Sequence, residues 1–374
     1  MDSYKKLKKE GIEIIEKLDA MKVNTIAISV ASKLCLAFPE HNLNKSDLFE
    51  SLARLNMYIA IMPSDSSGAK YSYRDNSIFF NKTLDIDEMS TLAVHECIHC
   101  IQELRDSNSN LVKLGLYNPL YNTGLSINEA AVQLMASEAN MMIVENETYY
   151  GITINTISPN YYPLQCALLN QISYFTGTYP LYHSTLNSND IFKNTLTLKT
   201  DKKTYSIILK NFDKLLALEN NLNYYSSELQ YTEKISSIKL LYKLINKTKA
   251  DIKSLFFRTQ NLIMHKCFKN EFNSIRNLED IKSFTSKLYN YKNIIGFTDE
   301  YTYYNEFYRN MMEVIEEKKA YIQKYCEINL FESVNTGLML VESTENTFSF
   351  ISSFISKLKK LLGINKSSDS INDL

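Results

Sequence analysis

This chain has few of the residues that interrupt secondary structure and few that ligate metals through nitrogen. Its 374 residues include nine glycines, six prolines and five histidines. Long stretches are therefore open to continuous helix, because glycine and proline are the strongest local punctuators of a chain. The six cysteines form no framework: Cys97 and Cys100 share one segment, while Cys35, Cys166, Cys267 and Cys326 are scattered without paired spacing. That excludes a disulfide-stapled scaffold and a cysteine zinc motif, and the thiols read as reduced core residues. No run of 18 uncharged apolar residues offers a transmembrane segment. The opening residues from Met1 to Lys6 read as the start of a charged amphipathic helix reaching Leu18. Glu10, Glu13 and Glu16 interrupt any signal-peptide core there, so a cytoplasmic setting is expected. Lys and Arg number 41 against 42 Asp and Glu. A balance so near neutrality gives no broad electrostatic case for nucleic acid as a partner.

What is present is a hydrophobic content of 45% in a chain with room for two domains and a substantial core. Its most informative segment is His95, Glu96, Cys97, Ile98, His99. Asp85 and Glu88 make a capping-box pair before a stretch that reaches about Leu104 without glycine or proline, which predicts a helix. On that helix Ala93, Val94, Cys97, Ile98, Cys100, Ile101 and Leu104 form a broad apolar side, and Leu92, His95, Glu96, His99 and Glu103 share the rest. A polar seam on a nearly buried helix must be paired or bind a metal, because bare polar groups in an interior cost several kcal/mol. Two imidazoles four residues apart suit zinc, which takes neutral nitrogens at about 2.0–2.1 Å. The competing reading has the two rings hydrogen-bonded to Glu96, Glu103 and backbone carbonyls.

A third ligand has to come from another element, since Glu103 lies two turns beyond His95. The run from Ser126 through Asn128, Glu129 and Ala131 opens a second helix after Gly124, continuing through Val132, Leu134, Met135, Ala136 and Ala139. Glu129 is the best ligand candidate. Val132, Gln133, Ala136 and Asn140 lie near its face, and the small Ala136 allows two helices to approach closely. Alternatively, Ser126 and Glu129 form only a capping box. Glu138 is a reserve ligand pointing roughly the other way, and Cys100 would have to turn from the opposite face.

With these residues the chain, over about residues 57–180, resembles the gluzincins, zincin metallopeptidases with a glutamate ligand. The resemblance implies that His95, His99 and Glu129 hold Zn2+ and that Glu96 activates water. Gln102 and the Asn128, Glu129, Ala130 run are similar to those of bacterial soluble zincins, and the interval from His99 to Glu129 is longer than in the best-known gluzincins by a loop from Asp106 to Asn122. Zinc lowers the pKa of water toward about 7, and a carboxylate beside it accepts the proton for attack on a carbonyl. An oxyanion donor is then needed; Tyr161, Tyr162, Tyr174 and His183 are candidates, Tyr162 foremost. Asn128 is a candidate for orienting a ligand from behind. The implied substrate is a peptide or protein. A non-peptide acyl substrate, or an inactive helical interaction protein retaining the site, are the alternatives.

The expected fold class is α+β: a mainly helical zincin-like core with a small N-terminal β-sheet and an appended helical bundle. Met57 to Met62 reads as a strand, with extended pieces at Gly68 to Tyr73 and Ser77 to Phe80. Pro163 to Phe175 reads as helix ending near Gly177, Ser184 to Lys203 as a loop or strand pair, and helix resumes near Tyr205. Expected domains are 1–220 for catalysis, 221–330 for helices, and 331–374 for a linker, amphipathic helix and mobile tail. In the last, Phe348, Ile351, Phe354, Ile355, Leu358, Leu361 and Leu362 form an apolar stripe beside Lys357, Lys359 and Lys360, fit for the protein's own bundle, another protein or a membrane surface.

Overall fold

Met57 and Ala60 are buried on opposite faces of one strand, and the chain builds a four-stranded sheet around it. The computed structural model describes Leu7, Lys9 and residues 11–63, 68–295 and 302–335, without side chains beyond Lys324. The strands are β1 (Glu13–Lys17), β2 (Asn56–Ile61), β3 (Ala69–Ser72) and β4 (Ser77–Asn81), in the order β1-β2-β4-β3. β2 and β4 are parallel, whereas β1 and β3 add antiparallel at the two edges. Ile78, Phe79 and Phe80 of β4 are almost completely buried, as expected for an inner strand covered on both faces.

The helix expected through Leu18 does not persist. Gly11 turns the chain at φ +73°, and the next residues pair with β2 as β1. The reason is a period of two: Ile12 and Ile14 both pack on a cluster that includes Ala60, Met62 and Phe79, leaving Glu13 outside.

Helices dominate the rest, so the fold is mainly helical α+β. α1 (Ala20–Ala37) buries Ile26, Ala27, Val30, Ala31 and Leu34. Among the described residues it is the one helix long and apolar enough to cross a membrane. It packs on α2 (Lys45–Leu52), α3 (Ile86–Ile101) and α4 (Leu125–Ala139). Between α3 and α4 the long interval carries a hairpin, β5 (Glu103–Arg105) with β6 (Leu111–Leu114). A second hairpin, β7 (Glu145–Tyr149) with β8 (Ile152–Thr156), leads to α5 (Pro163–Thr176).

Ser184 to Lys203 is helical, neither loop nor strand pair. α6 (Thr178–Asn187) and α7 (Ile191–Lys199) are separated by Ser188 in the left-handed region at φ 50°. The polar residues make this turn: Ser184 Oγ accepts from Phe192 N–H at 2.8 Å and donates to Asn189 at 2.8 Å. α8 (Lys202–Tyr231) runs across residue 220, and α9 (Ile235–Ser274) follows.

The chain divides into two compact units, 1–263 and 264 onward. In the second, the end of α9 joins α10 (Leu278–Ile295) and α11 (Thr302–Asn335) around Phe268, Phe272, Phe284, Tyr291 and Phe307. The apolar stripe from Phe348 to Leu362 lies outside the described residues.

Candidate metal centre

Two helices with independently specified starts carry the site. Asp85 caps α3 by accepting from Asp87 N–H at 2.9 Å and Glu88 N–H at 2.8 Å, and the Glu88 carboxylate accepts in turn from Asp85 N–H at 2.9 Å. Such a cap stabilises a helix start by about 1 kcal/mol. α3 ends at Ile101, one turn short of the expected Leu104, because Glu103 to Arg105 leave the helix to pair as β5. α4 starts differently. Gly124 at its N-cap has no side chain to offer, and Asp213 of α8 accepts from Gly124 N–H at 2.9 Å and Ser126 N–H at 3.0 Å. The capping-box alternative for Ser126 and Glu129 is therefore not the arrangement found.

Glu129 instead faces the two imidazoles. His95 Nε2 and His99 Nε2 are 3.1 Å apart, and Glu129 Oε2 lies 3.4 Å from the first and 3.5 Å from the second. Three ligand atoms of a tetrahedral ion with bonds near 2.0 Å are separated by about 3.3 Å, so this triangle fits a zinc-sized cation. Two imidazole nitrogens turned toward each other need a proton or a cation between them. His99 is buried and His95 largely so. Burial alone depresses the His99 pKa, but Glu129, with Glu96 and Gln102, outweighs it and lifts the group to about 9. Burial conversely favours the neutral acid of Glu129, and the charge of His99, with bonds from both imidazoles, holds it far below the usual carboxylate range.

His95 Nδ1 lies 2.9 Å from Gln133 Oε1, and Gln133 Nε2 donates to Ser137 Oγ at 3.1 Å. With Gln133 Oε1 as the acceptor, His95 carries its proton on Nδ1 and its Nε2 lone pair is left for a metal. Sequence placed Gln133 on the right face, one turn after Glu129, without assigning it this part. Glu96 accepts from the backbone N–H of Tyr71, on edge strand β3, at 2.6 Å. Glu103 takes the Tyr71 hydroxyl at 2.6 Å and pairs with Arg105 at 2.6 Å. Neither carboxylate is spent on the histidines, contrary to the non-metal reading.

His95, Glu96, His99, Glu129 and Gln133 line a cavity of about 960 Å³ bounded by Lys70 and Tyr71 of β3, by α3 and α4, and by Tyr161 and Tyr162. Tyr162 is held at φ 51° immediately before Pro163, an uncommon conformation for a non-glycine residue. Its ring lies near-parallel to His95 with centroids 6.3 Å apart, and Glu129 lies close to its hydroxyl. Burial, then the nearby Glu129 and Glu96, push that phenol well above its ordinary pKa, so it stays a donor.

The other candidates are elsewhere or in other parts. His183 stacks against both His41 and Tyr179, which also stack on each other, and Tyr174 packs on Phe175. Glu138 is exposed and bonds to Tyr182. Cys100 meets Tyr71 and lies outside the triad. Asn128 is buried behind the site, accepting from Gln102 and from Leu116. No family model, curated protein or solved structure matches this chain.

Proposed function

We propose that this protein is a zinc-dependent hydrolase of peptide or protein amide bonds, a gluzincin-like metallopeptidase with His95, His99 and Glu129 as ligands. The observation that carries the reading is the triangle of 3.1, 3.4 and 3.5 Å between ligand atoms on the wall of a large cavity that also contains Glu96. Zinc held there supplies the Lewis acidity that polarises a carbonyl and makes water a nucleophile near neutral pH.

Glu96 accepts the proton of the attacking water and passes it to the leaving nitrogen, restoring its carboxylate. Tyr71 N–H keeps that carboxylate in place beside the cleft. Tyr162 donates its hydroxyl toward the oxygen on which negative charge develops. β3 ends the four-stranded sheet beside the cavity, so an extended substrate segment can lie along it. A cytoplasmic setting accords with Cys35, Cys97, Cys100, Cys166 and Cys267, all free thiols.

Elemental analysis and a peptide-library assay of native, chelator-treated and Glu96→Gln protein test this. Glu96→Gln is expected to keep zinc and lose about 10²–10⁴-fold in hydrolysis. Native-like cleavage by that variant removes Glu96 as base. Turnover confined to a non-peptide acyl compound transfers the site to that substrate class.

A further inference from the structure

The wall behind the two helices contains a buried chain of amides whose orientation is set by the backbone. Leu116 N–H points at the Asn128 side chain at 2.9 Å. A backbone N–H only donates, so the receiving atom is the Asn128 oxygen. That same oxygen receives the Gln102 side chain at 2.8 Å, which fixes the donating atom as Gln102 Nε2. Gln102 Oε1 is then left as an acceptor with no hydrogen bond, and His99 Nδ1 is likewise buried without one. Gln102 caps α3 three residues after His99 and so shares its face, which makes the two orphans a donor and an acceptor of complementary kind on one side of the helix. Leaving either unpaired in a protein interior is destabilising.

The backbone around them is tied down as well. Ser188 Oγ donates to the Gln102 carbonyl and accepts from Gly115 N–H at 2.7 Å. Asn128 Nδ2 has no partner, so this residue acts purely as an acceptor.

We propose that Gln102 is the positioning residue of His99, oriented from the β5–β6 excursion through Leu116 N–H and Asn128. The inference rests on the metal reading of the triad. Once His99 is fixed by an ion, its Nδ1–H closes onto Gln102 Oε1, which holds the Nε2 lone pair toward Glu129 and His95. Both imidazoles are then oriented by neutral amide oxygens, Gln133 for His95 and Gln102 for His99.

The test measures zinc affinity of folded protein by competition with a chromophoric chelator. Gln102→Leu and Asn128→Leu are expected to weaken zinc binding by about 10–100-fold. Asn128→Asp keeps both accepted hydrogen bonds and should restore affinity to within about threefold of native. A purely structural role would lower unfolding stability while leaving the zinc affinity of the folded fraction unchanged, and that result overturns the relay. Should the leucine variants not fold, NMR of native zinc-loaded protein decides. A slowly exchanging His99 Nδ1–H with a cross-peak to the Gln102 side chain supports the proposal, and its absence refutes it. Failure of the native chain to take up zinc is a failure of the metal reading and takes the relay with it; normal native uptake with unchanged affinity in Gln102→Leu defeats the relay alone.

Discussion

Gly115→Ala is a small substitution with a large expected cost. Gly115 has φ +58°, and a Cβ added there would stand 2.2 Å from Gln102 Nε2 and 2.3 Å from Asn128 Oδ1. An L residue in this backbone region costs about 1–2 kcal/mol. Forcing a methyl into a filled interior adds about 1–3 kcal/mol, and separating the buried amide pair adds about 1–3 kcal/mol more. Because these overlap, about 3–5 kcal/mol is expected, a large part of the roughly 5–15 kcal/mol that holds a folded domain together. Gly151→Ala is the control. It has φ +75°, but its added Cβ meets only the flexible tip of Lys253 at 3.3 Å, so about 1 kcal/mol of backbone strain is all it should lose. Equilibrium urea unfolding of the two metal-free variants gives the comparison. If Gly115→Ala is no less stable than Gly151→Ala, the claim that the excursion is packed hard against the amide pair is wrong.

Glu129→Ala should abolish tight zinc binding while Glu138→Ala leaves it near native, measured by elemental analysis after gel filtration; the reverse ranking would reassign the third ligand. Tyr162→Phe should lower kcat by about 10²–10³-fold with zinc content unchanged, which steady-state kinetics on any cleaved peptide will show. In metal-free protein Glu129 holds the His99 pKa above its ordinary value, at about 9, against the effect of burial. The raised folded value means that the associated stability is complete below about pH 6.5 and is lost as pH climbs through about 9. Thermal melting of metal-free protein should therefore fall across that window, whereas zinc-saturated protein, whose His99 is not free to protonate, should be flat. A flat metal-free curve would count against the His99–Glu129 coupling.

The site's local parts were readable from local patterns. The Asp85 and Glu88 cap, the placement of His95 and His99 on one helix, and the face of Glu129 all follow from neighbours within a few residues, and the structure has each of them. What escaped depends on partners far along the chain. Gln133 takes its meaning from His95, 38 residues away, and Tyr71 N–H from Glu96, 25 residues away. The end of α3 was misjudged because the residues that pair with Glu103 to Arg105 come later, in β6. The same holds at the start, where Ile12 and Ile14 suit either a helix face or a strand until β2 supplies a partner. The polar run from Ser184 to Lys203 reads as loop or strand pair because the serine and asparagine that make the turn between α6 and α7 find their partners only in the folded chain.

Asp213 makes the cleft dependent on sequence well beyond it. Its carboxylate satisfies Gly124 N–H and Ser126 N–H from a position 89 and 87 residues further on. A fragment cut before α8 would keep His95, Glu96, His99 and Glu129 yet leave the first turn of α4 with amides that have lost their acceptor. The helix pair is thus not a cassette that can be moved or truncated on the strength of its motif. Any gene fragment, fusion or recombination point that separates residue 129 from residue 213 divides one folding unit, so shortened expression designs should begin from the far side of α8.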